Sequence, residues 1–129
     1  MSSTFQIDFS AAHKPVIVGI DLGTTNSLVA FMDLTGPKVI PGPEGERLVP
    51  SIVSVRQDGE VVAGNPARQL LIEQPDRTVY SVKRLMGKGV SDIGEELRLF
   101  PLRIAEGSES VVRLQLGDRT FTPPEISAH

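Results

Sequence analysis

Two short apolar runs joined by a polar segment form the clearest pattern along the chain. Residues 16–22 and 27–32 are rich in Val, Ile and Leu, and each run has the length of a strand rather than of a helix. The joining segment, residues 21–27, contains one acid, one glycine and three hydroxyl side chains. The pattern predicts a hairpin of two strands, typical of a buried sheet, with an unusually polar turn.

The rest of the chain alternates between short strand and short helix signals. The predicted strands lie at residues 38–40, 51–55, 60–63, 102–104, 111–116 and 119–121. The predicted helical segments run from the cap Asn65 to Pro75, over 78–86 with Gly87 at the stop, and over 91–97 as a short capped turn. Thr122, the two prolines after it and Glu125 predict a further helix start. This mixture of elements predicts an α/β protein.

The polar turn has the chemistry of an anion site. Gly23 is followed by Thr24, Thr25 and Asn26, which supply consecutive backbone N–H groups and hydroxyls. Such backbone nests bind anions. Asp21 at the strand end then has a natural role, because a carboxylate beside bound phosphates can hold a hydrated Mg²⁺. The alternative is a polar turn with no ligand, since the segment is neither a Walker loop nor a GxGxxG fingerprint.

A longer string around this turn resembles a known family. The string is Gly19-Ile20-Asp21-Leu22-Gly23-Thr24-Thr25-Asn26-Ser27. It is similar to the first phosphate loop of the DnaK-type heat-shock chaperones, which belong to the actin-like ATPase superfamily. The resemblance implies the actin-like ATPase fold, here as a partial first lobe with its small mixed-sheet subdomain. Val49-Pro50-Ser51 resembles the Pro-Ser strand entry of the same family.

A second segment of the family's pattern lies at residues 80–87. By position alone, Lys83 and Arg84 are a solvated pair at the end of a helix. Their surroundings resemble the chaperone segment whose lysine reaches across the cleft to the terminal phosphate and the attacking water. The resemblance implies that Lys83 is the catalytic cation for charge that develops in phosphoryl transfer, and that Arg84 is a second cation of the cleft.

The resemblance divides the chain into four parts. Residues 1–14 are expected to be a flexible lead, which looks like that of the iron-sulfur-assembly branch, the HscA type. Residues 15–47 correspond to the opening strands with the phosphate loop, and 48–121 to a small β-rich subdomain. Residues 122–129 resemble the first turn of a long family helix, so the chain is expected to be a fragment. The hairpin sheet is then expected to expose apolar faces and an open edge.

For a complete protein, the resemblance implies an ATP-driven folding chaperone. Its cofactors would be ATP and Mg²⁺, and its partners unfolded clients, a J-domain co-chaperone and a nucleotide-exchange factor. ATP in that fold is held between two lobes, so the chain alone is expected to have no useful ATPase activity and at most weak phosphate affinity. Self-association of the chain is a further expectation.

Composition and charge limit the partners and the cellular location that the sequence predicts. The net charge of -3 and the absence of a basic cluster disfavour nucleic acid and anionic membranes as partners. The sequence has no apolar run of membrane-spanning length and no secretory leader pattern, which leaves a cytoplasmic location as the default. The chain has no cysteine, and its two histidines lie at opposite ends. Glu95 and Glu96 would face different sides of a helix and are expected to be solvated.

Three other interpretations remain open. An actin-like phosphotransferase such as a sugar kinase could share Asp-x-Gly-Thr-Thr, although the segments at residues 50–53 and 82–87 favour the chaperone family. A non-catalytic interaction module could use the same fold. The chain could also be the product of a split or truncated gene, or an excised piece of a longer protein.

Overall fold

Three small antiparallel sheets and a few short helical segments make up the protein. The computed structural model describes residues 16–129, so the expected lead at residues 1–14 lies outside the described part. The architecture is mixed α/β, with one four-stranded sheet and two three-stranded sheets. The predicted fold class is confirmed.

The first sheet contains the predicted hairpin. Its strands are β1 (Val18–Leu22), β2 (Asn26–Asp33), β3 (Gly36–Ile40) and β4 (Val49–Pro50). β1 and β3 both pair antiparallel with β2, which confirms the hairpin and the third strand. β4 pairs with the first two residues of β2, so these are extended rather than part of the turn. The domain boundary expected at residue 48 stays a prediction.

β1 is not buried, although its apolar sequence is typical of a buried strand. Its first four residues are exposed, and Ile20 keeps 70% of its surface in contact with solvent. The face of the sheet that includes Ile20 and Leu22 borders an open groove that has Val53 and Ile126 on its other side. The expected exposure of apolar surface on this sheet is therefore confirmed.

The second sheet corrects one helix prediction. It consists of β5 (Ile52–Val55), β6 (Val61–Ala63) and β7 (Thr78–Tyr80), with Asp58-Gly59 in the predicted β5-β6 turn. The helix predicted over 78–86 is wrong in its first half, because β7 pairs with β5 instead. The β-branched Thr78 and Val79 are almost fully buried there, and the Thr78 hydroxyl lies 2.8 Å from that of Ser54.

Ser81 then turns the chain out of β7. Its φ of 52° is the left-handed conformation, and a 3-10 segment, Val82–Leu85, follows directly. Gly87, with a φ of 69°, lies just beyond the end of this segment, as predicted. The left-handed residue breaks the continuous helix that the apolar spacing predicts.

The other helical segments are short. α1 (Asn65–Arg68) and α2 (Leu70–Glu73) occupy the predicted place before Pro75, but the cap is Gly64, at a φ of 75°, rather than Asn65. A 3-10 turn, Pro75–Arg77, leads into β7. The turn predicted over 91–97 is two separate 3-10 turns, Val90–Asp92 and Glu96–Leu99.

The third sheet confirms the predicted meander. Its strands are β8 (Arg103–Ile104), β9 (Leu114–Leu116) and β10 (Arg119–Phe121). β9 begins later than predicted, because the buried Ser108 hydroxyl donates to Ala105 O and accepts from Arg113 N just before the strand. α3 (Pro123–Ser127) follows, and Thr122 and Glu125 cap it reciprocally as predicted.

The hydrophobic core lies within the second and third sheets and their helical connections. All of its buried members come from residues 53–126, and none comes from the first sheet. The largest fully buried side chains include Leu85, Ile93, Leu114, Leu116 and Ile126. Among the described residues, no helix has the length and apolar character needed to cross a membrane.

Candidate phosphate site

The turn between β1 and β2 is tight at Gly23. A Cβ at this position would overlap the carbonyl oxygen of Asn26, so only glycine fits. Thr24 is half-buried and Thr25 is exposed. Of the residues predicted to bind phosphate, Gly23, Thr24 and Thr25 therefore form a compact loop at one end of the first sheet, and Asn26 begins β2 directly after it.

Ser51, the residue after β4, holds this loop in place through two hydrogen bonds. Its backbone N–H donates to Thr25 O at 2.8 Å, and its hydroxyl donates to Gly23 O at 2.8 Å. The hydroxyl of Ser27 lies 2.9 Å from that of Ser51. Ser27 thus contributes to the support of the loop rather than to an open anion nest.

Sequence reasoning assigned Ser51 only to a strand entry. Pro50 was the one feature of the sequence that pointed to Ser51. A proline has no N–H to donate to the neighbouring strand, so the next residue must make the following hydrogen bond of the sheet. The sequence could not show that Ser51 bonds to the polar turn twice, through its N–H to Thr25 and through its hydroxyl to Gly23, 28 positions earlier in the chain.

Lys83 reaches the same loop from the 3-10 segment Val82–Leu85. Its Nζ donates to the carbonyl oxygen of Leu22 at 2.8 Å, across 61 positions of sequence. The 3-10 segment fixes this direction, because Val82 and Leu85 are buried and Lys83 is left on the exposed side. The structure therefore brings the two predicted parts of the site, loop and lysine, together.

Arg84 is not placed at the loop. It is exposed and lines neither of the two grooves beside the loop. Its charge acts instead on Glu96, whose pKa is lowered chiefly by a hydrogen bond from Lys88 and to a smaller extent by Arg84. Lys88 Nζ lies 2.8 Å from Glu96 Oε1, so the expectation of a merely solvated Glu96 is wrong. The cleft role of Arg84 stays a prediction.

Two grooves flank the loop. The larger, of about 410 Å³, lies between the first sheet on one side and β5 and α3 on the other, and Gly23, Ser51 and Lys83 line it along with many apolar residues. The smaller, of about 140 Å³, is lined by Thr24, Thr25, Ser51, Arg68, Tyr80 and Ser81. The loop is thus open to ligands on both sides, and Ser51 borders both grooves.

Asp21 is the predicted Mg²⁺ residue, and like Arg84 it lines neither of the two grooves beside the loop. It is exposed in β1, two residues before Gly23, where its register partner is Leu28. No group of three His, Asp or Glu side chains gathers in residues 16–129 to form a metal cage. A single carboxylate beside phosphates suits Mg²⁺, which keeps several of its waters.

The comparison with known families gives one result. A family model described as Hsp70 protein matches residues 17–129. The match includes the loop, Ser51, Lys83, Arg84 and Asp21, together with all three sheets.

Proposed function

Because the chain belongs to the Hsp70 family and has its actin-like ATPase fold, we propose that residues 16–129 form the phosphate-binding side of the ATP site of a DnaK-type molecular chaperone. The family binds ATP and Mg²⁺ in general, and it binds unfolded clients and co-chaperones. The finer proposal is that ATP binding and hydrolysis at this loop drive protein folding in the complete protein.

The contact between Lys83 and the loop supports this proposal most directly. Lys83 Nζ donates to Leu22 O at 2.8 Å, so a cation from a segment 61 positions later in the chain lies at the base of the polar turn. A cation placed close to backbone N–H groups is the arrangement that stabilises charge in phosphoryl transfer.

Each site residue has a proposed role. The N–H groups and hydroxyls of Gly23, Thr24, Thr25 and Asn26 bind phosphate oxygens. Asp21 holds the waters of Mg²⁺, which when bound would neutralise charge on the phosphates. Lys83 moves from Leu22 O toward the terminal phosphate and stabilises the charge that develops there. Arg84 would supply a second positive charge to the cleft.

We also propose that these residues are insufficient for catalysis alone. Phosphoryl transfer depends on positioning by groups around the whole nucleotide, and the loop with Lys83 supplies only one side. For the complete protein we propose a cytoplasmic location, unfolded clients, a J-domain co-chaperone and a nucleotide-exchange factor.

Calorimetric titration of the 129-residue chain with MgATP tests whether the loop and Lys83 form only half of an ATP site, a half-site. We expect no binding tighter than about 1 mM, which corresponds to roughly 4 kcal/mol. Phosphate release should not exceed that of a protein-free blank. Micromolar binding that vanishes in the Thr24→Ala/Thr25→Ala double variant would contradict the half-site and would instead indicate that the chain completes its cleft by self-association.

A further inference from the structure

We infer that Ser51 is a positioning residue that aims the N–H groups of the phosphate loop at the ligand. This inference rests on the proposed function, since it deepens the role of the same loop. Ser51 contacts the loop at two carbonyls, those of Gly23 and Thr25, each at 2.8 Å. Its side chain and its backbone act on different peptide groups of the turn.

The orientation follows from the planarity of the peptide group. In a trans peptide the C=O of one residue and the N–H of the next point in opposite directions. When Ser51 holds the carbonyl of Gly23, the N–H of Thr24 is turned away from Ser51. When it holds the carbonyl of Thr25, the N–H of Asn26 is turned away as well. Ser51 thus fixes the direction of two N–H groups and draws two carbonyl dipoles toward itself.

The hydroxyl pair with Ser27 strengthens this arrangement. A serine hydroxyl has one hydrogen, and that of Ser51 is donated to Gly23 O. The 2.9 Å contact between the two hydroxyls is therefore a bond that Ser27 donates to Ser51. Such a chain of donors polarises the last hydroxyl and tightens its hold on the carbonyl.

Removal of the Ser51 hydroxyl frees one of the two carbonyls. In Ser51→Ala the backbone bond to Thr25 O remains, but the Gly23-Thr24 peptide can rotate. We expect the order parameter of the Thr24 amide to fall from about 0.85, the value of a rigid backbone, toward about 0.6, while that of the Asn26 amide, whose peptide is still held at Thr25 O, should stay near its wild-type value. The apparent MgATP dissociation constant should rise about fivefold, which is the worth of one net hydrogen bond.

Two further variants separate positioning from general stability. Ser51→Thr keeps the hydroxyl, so it should stay within about twofold of the wild-type chain in affinity. Ser127→Ala removes a matched hydroxyl, which donates to Pro123 O at 2.9 Å, and it should leave the loop unchanged. All four proteins are compared by amide relaxation and by titration with MgATP, each monitored by NMR.

The outcomes separate this inference from the proposed function. If the Thr24 amide of Ser51→Ala keeps its order parameter and the MgATP response stays within about twofold, the inference is wrong. If Ser51→Thr loses as much order as Ser51→Ala, the hydroxyl is not the cause and the inference is also wrong. If MgATP shifts no loop amide in the wild-type chain, the proposed function fails, and the relaxation data still decide whether Ser51 orders the loop.

Discussion

Gly23 is the residue of the proposed phosphate loop at which an added Cβ would collide with the backbone. A methyl group there would overlap Asn26 O, so Gly23→Ala must displace the turn. We expect the amide resonances of residues 22–27 to move and their response to MgATP to disappear. Gly19→Ala, in the same hairpin, is the control, because its Cβ would meet Ala30 O only at an ordinary 3.9 Å. An unchanged MgATP response in Gly23→Ala would exclude this loop as the phosphate site.

The adjacent cations Lys83 and Arg84 form a second residue-level comparison. Only Lys83 contacts the loop, whereas Arg84 lies near Glu96. We expect Lys83→Met to weaken the MgATP response of the loop about tenfold, as loss of a charge-assisted hydrogen bond would. In a complete chaperone, the same variant should abolish ATP hydrolysis and leave the fold intact.

Arg84→Met is the matched control in this chain. It should change the MgATP response of the loop less than Lys83→Met, because Arg84 lines neither of the grooves beside the loop. Circular dichroism checks that both variants fold. Equal losses from the two variants would show a general effect of charge rather than a specific role of Lys83.

At the residue scale, the sequence predicted which residues form the loop and which lysine reaches it. The motif string was sufficient for Gly23 to Asn26, because their chemistry is local. Ser51 was missed because its role depends on the pairing of β4 with β2, a long-range contact with no local signal. The position of Arg84 depends on the 3-10 segment, which the apolar spacing predicted as α-helix.

At the scale of elements, α3 is the helical segment whose cap depends on pH. The pKa of Glu125 is lowered, first by the backbone N–H of Thr122 and then by its hydroxyl. Because the folded form has the lower pKa, the cap's contribution is complete above the ordinary pKa of 4.5 for this carboxyl. The contribution of the cap is lost as the pH falls through the lowered pKa that Glu125 has in the folded protein.

We therefore expect the first turn of α3 to loosen below about pH 4.5. The amide resonances of Ile126 and Ser127 should report this change. Glu125→Gln should remove this pH dependence, because the side-chain amide does not titrate. The amide oxygen can still accept the bond from Thr122, so the cap itself should remain. Glu106→Gln, at an exposed loop position, is the control and should titrate as the wild-type chain does. A resonance shift that persists in Glu125→Gln would contradict the assignment.

Sequence patterns predicted strands better than helices. The Asp58-Gly59 hairpin, the meander and the capped start of α3 each have a local signal, and the structure confirms them. The segment 78–86 has helical spacing, but tertiary pairing of Val79 with Val53 overrides it. β-branched residues that are buried next to an existing strand favour pairing over a helix.

At the scale of the whole molecule, stability should be uneven. The core is built from residues 53–126, while β1 leaves Val18 and Ile20 largely exposed. Apolar composition alone could not distinguish these two regions, since both have strand-like apolar runs. Among the described residues, the apolar side chains of the second and third sheets pack against each other and against the helical segments, whereas most of those of β1 remain exposed.

Native-state hydrogen exchange measures this difference. We expect residues 16–40 to exchange by local opening at a lower free energy than residues 50–120, whose slowest amides should report global unfolding. Repeating the experiment at several protein concentrations detects self-association through the exposed edge of β1. Equal protection of the two regions at low concentration would show that the first sheet is as stable as the core.

The most direct test of the phosphate site is an NMR titration of the isotope-labelled chain with MgATP. Mg²⁺ alone serves as the control for binding of the ion. We predict that, at millimolar nucleotide, the largest shifts occur in residues 21–27 and 81–84, the loop and the segment that brings Lys83 to it. Shifts confined to other surfaces, or none in the loop at concentrations that saturate any other response, would contradict the assignment of this loop to ATP phosphates.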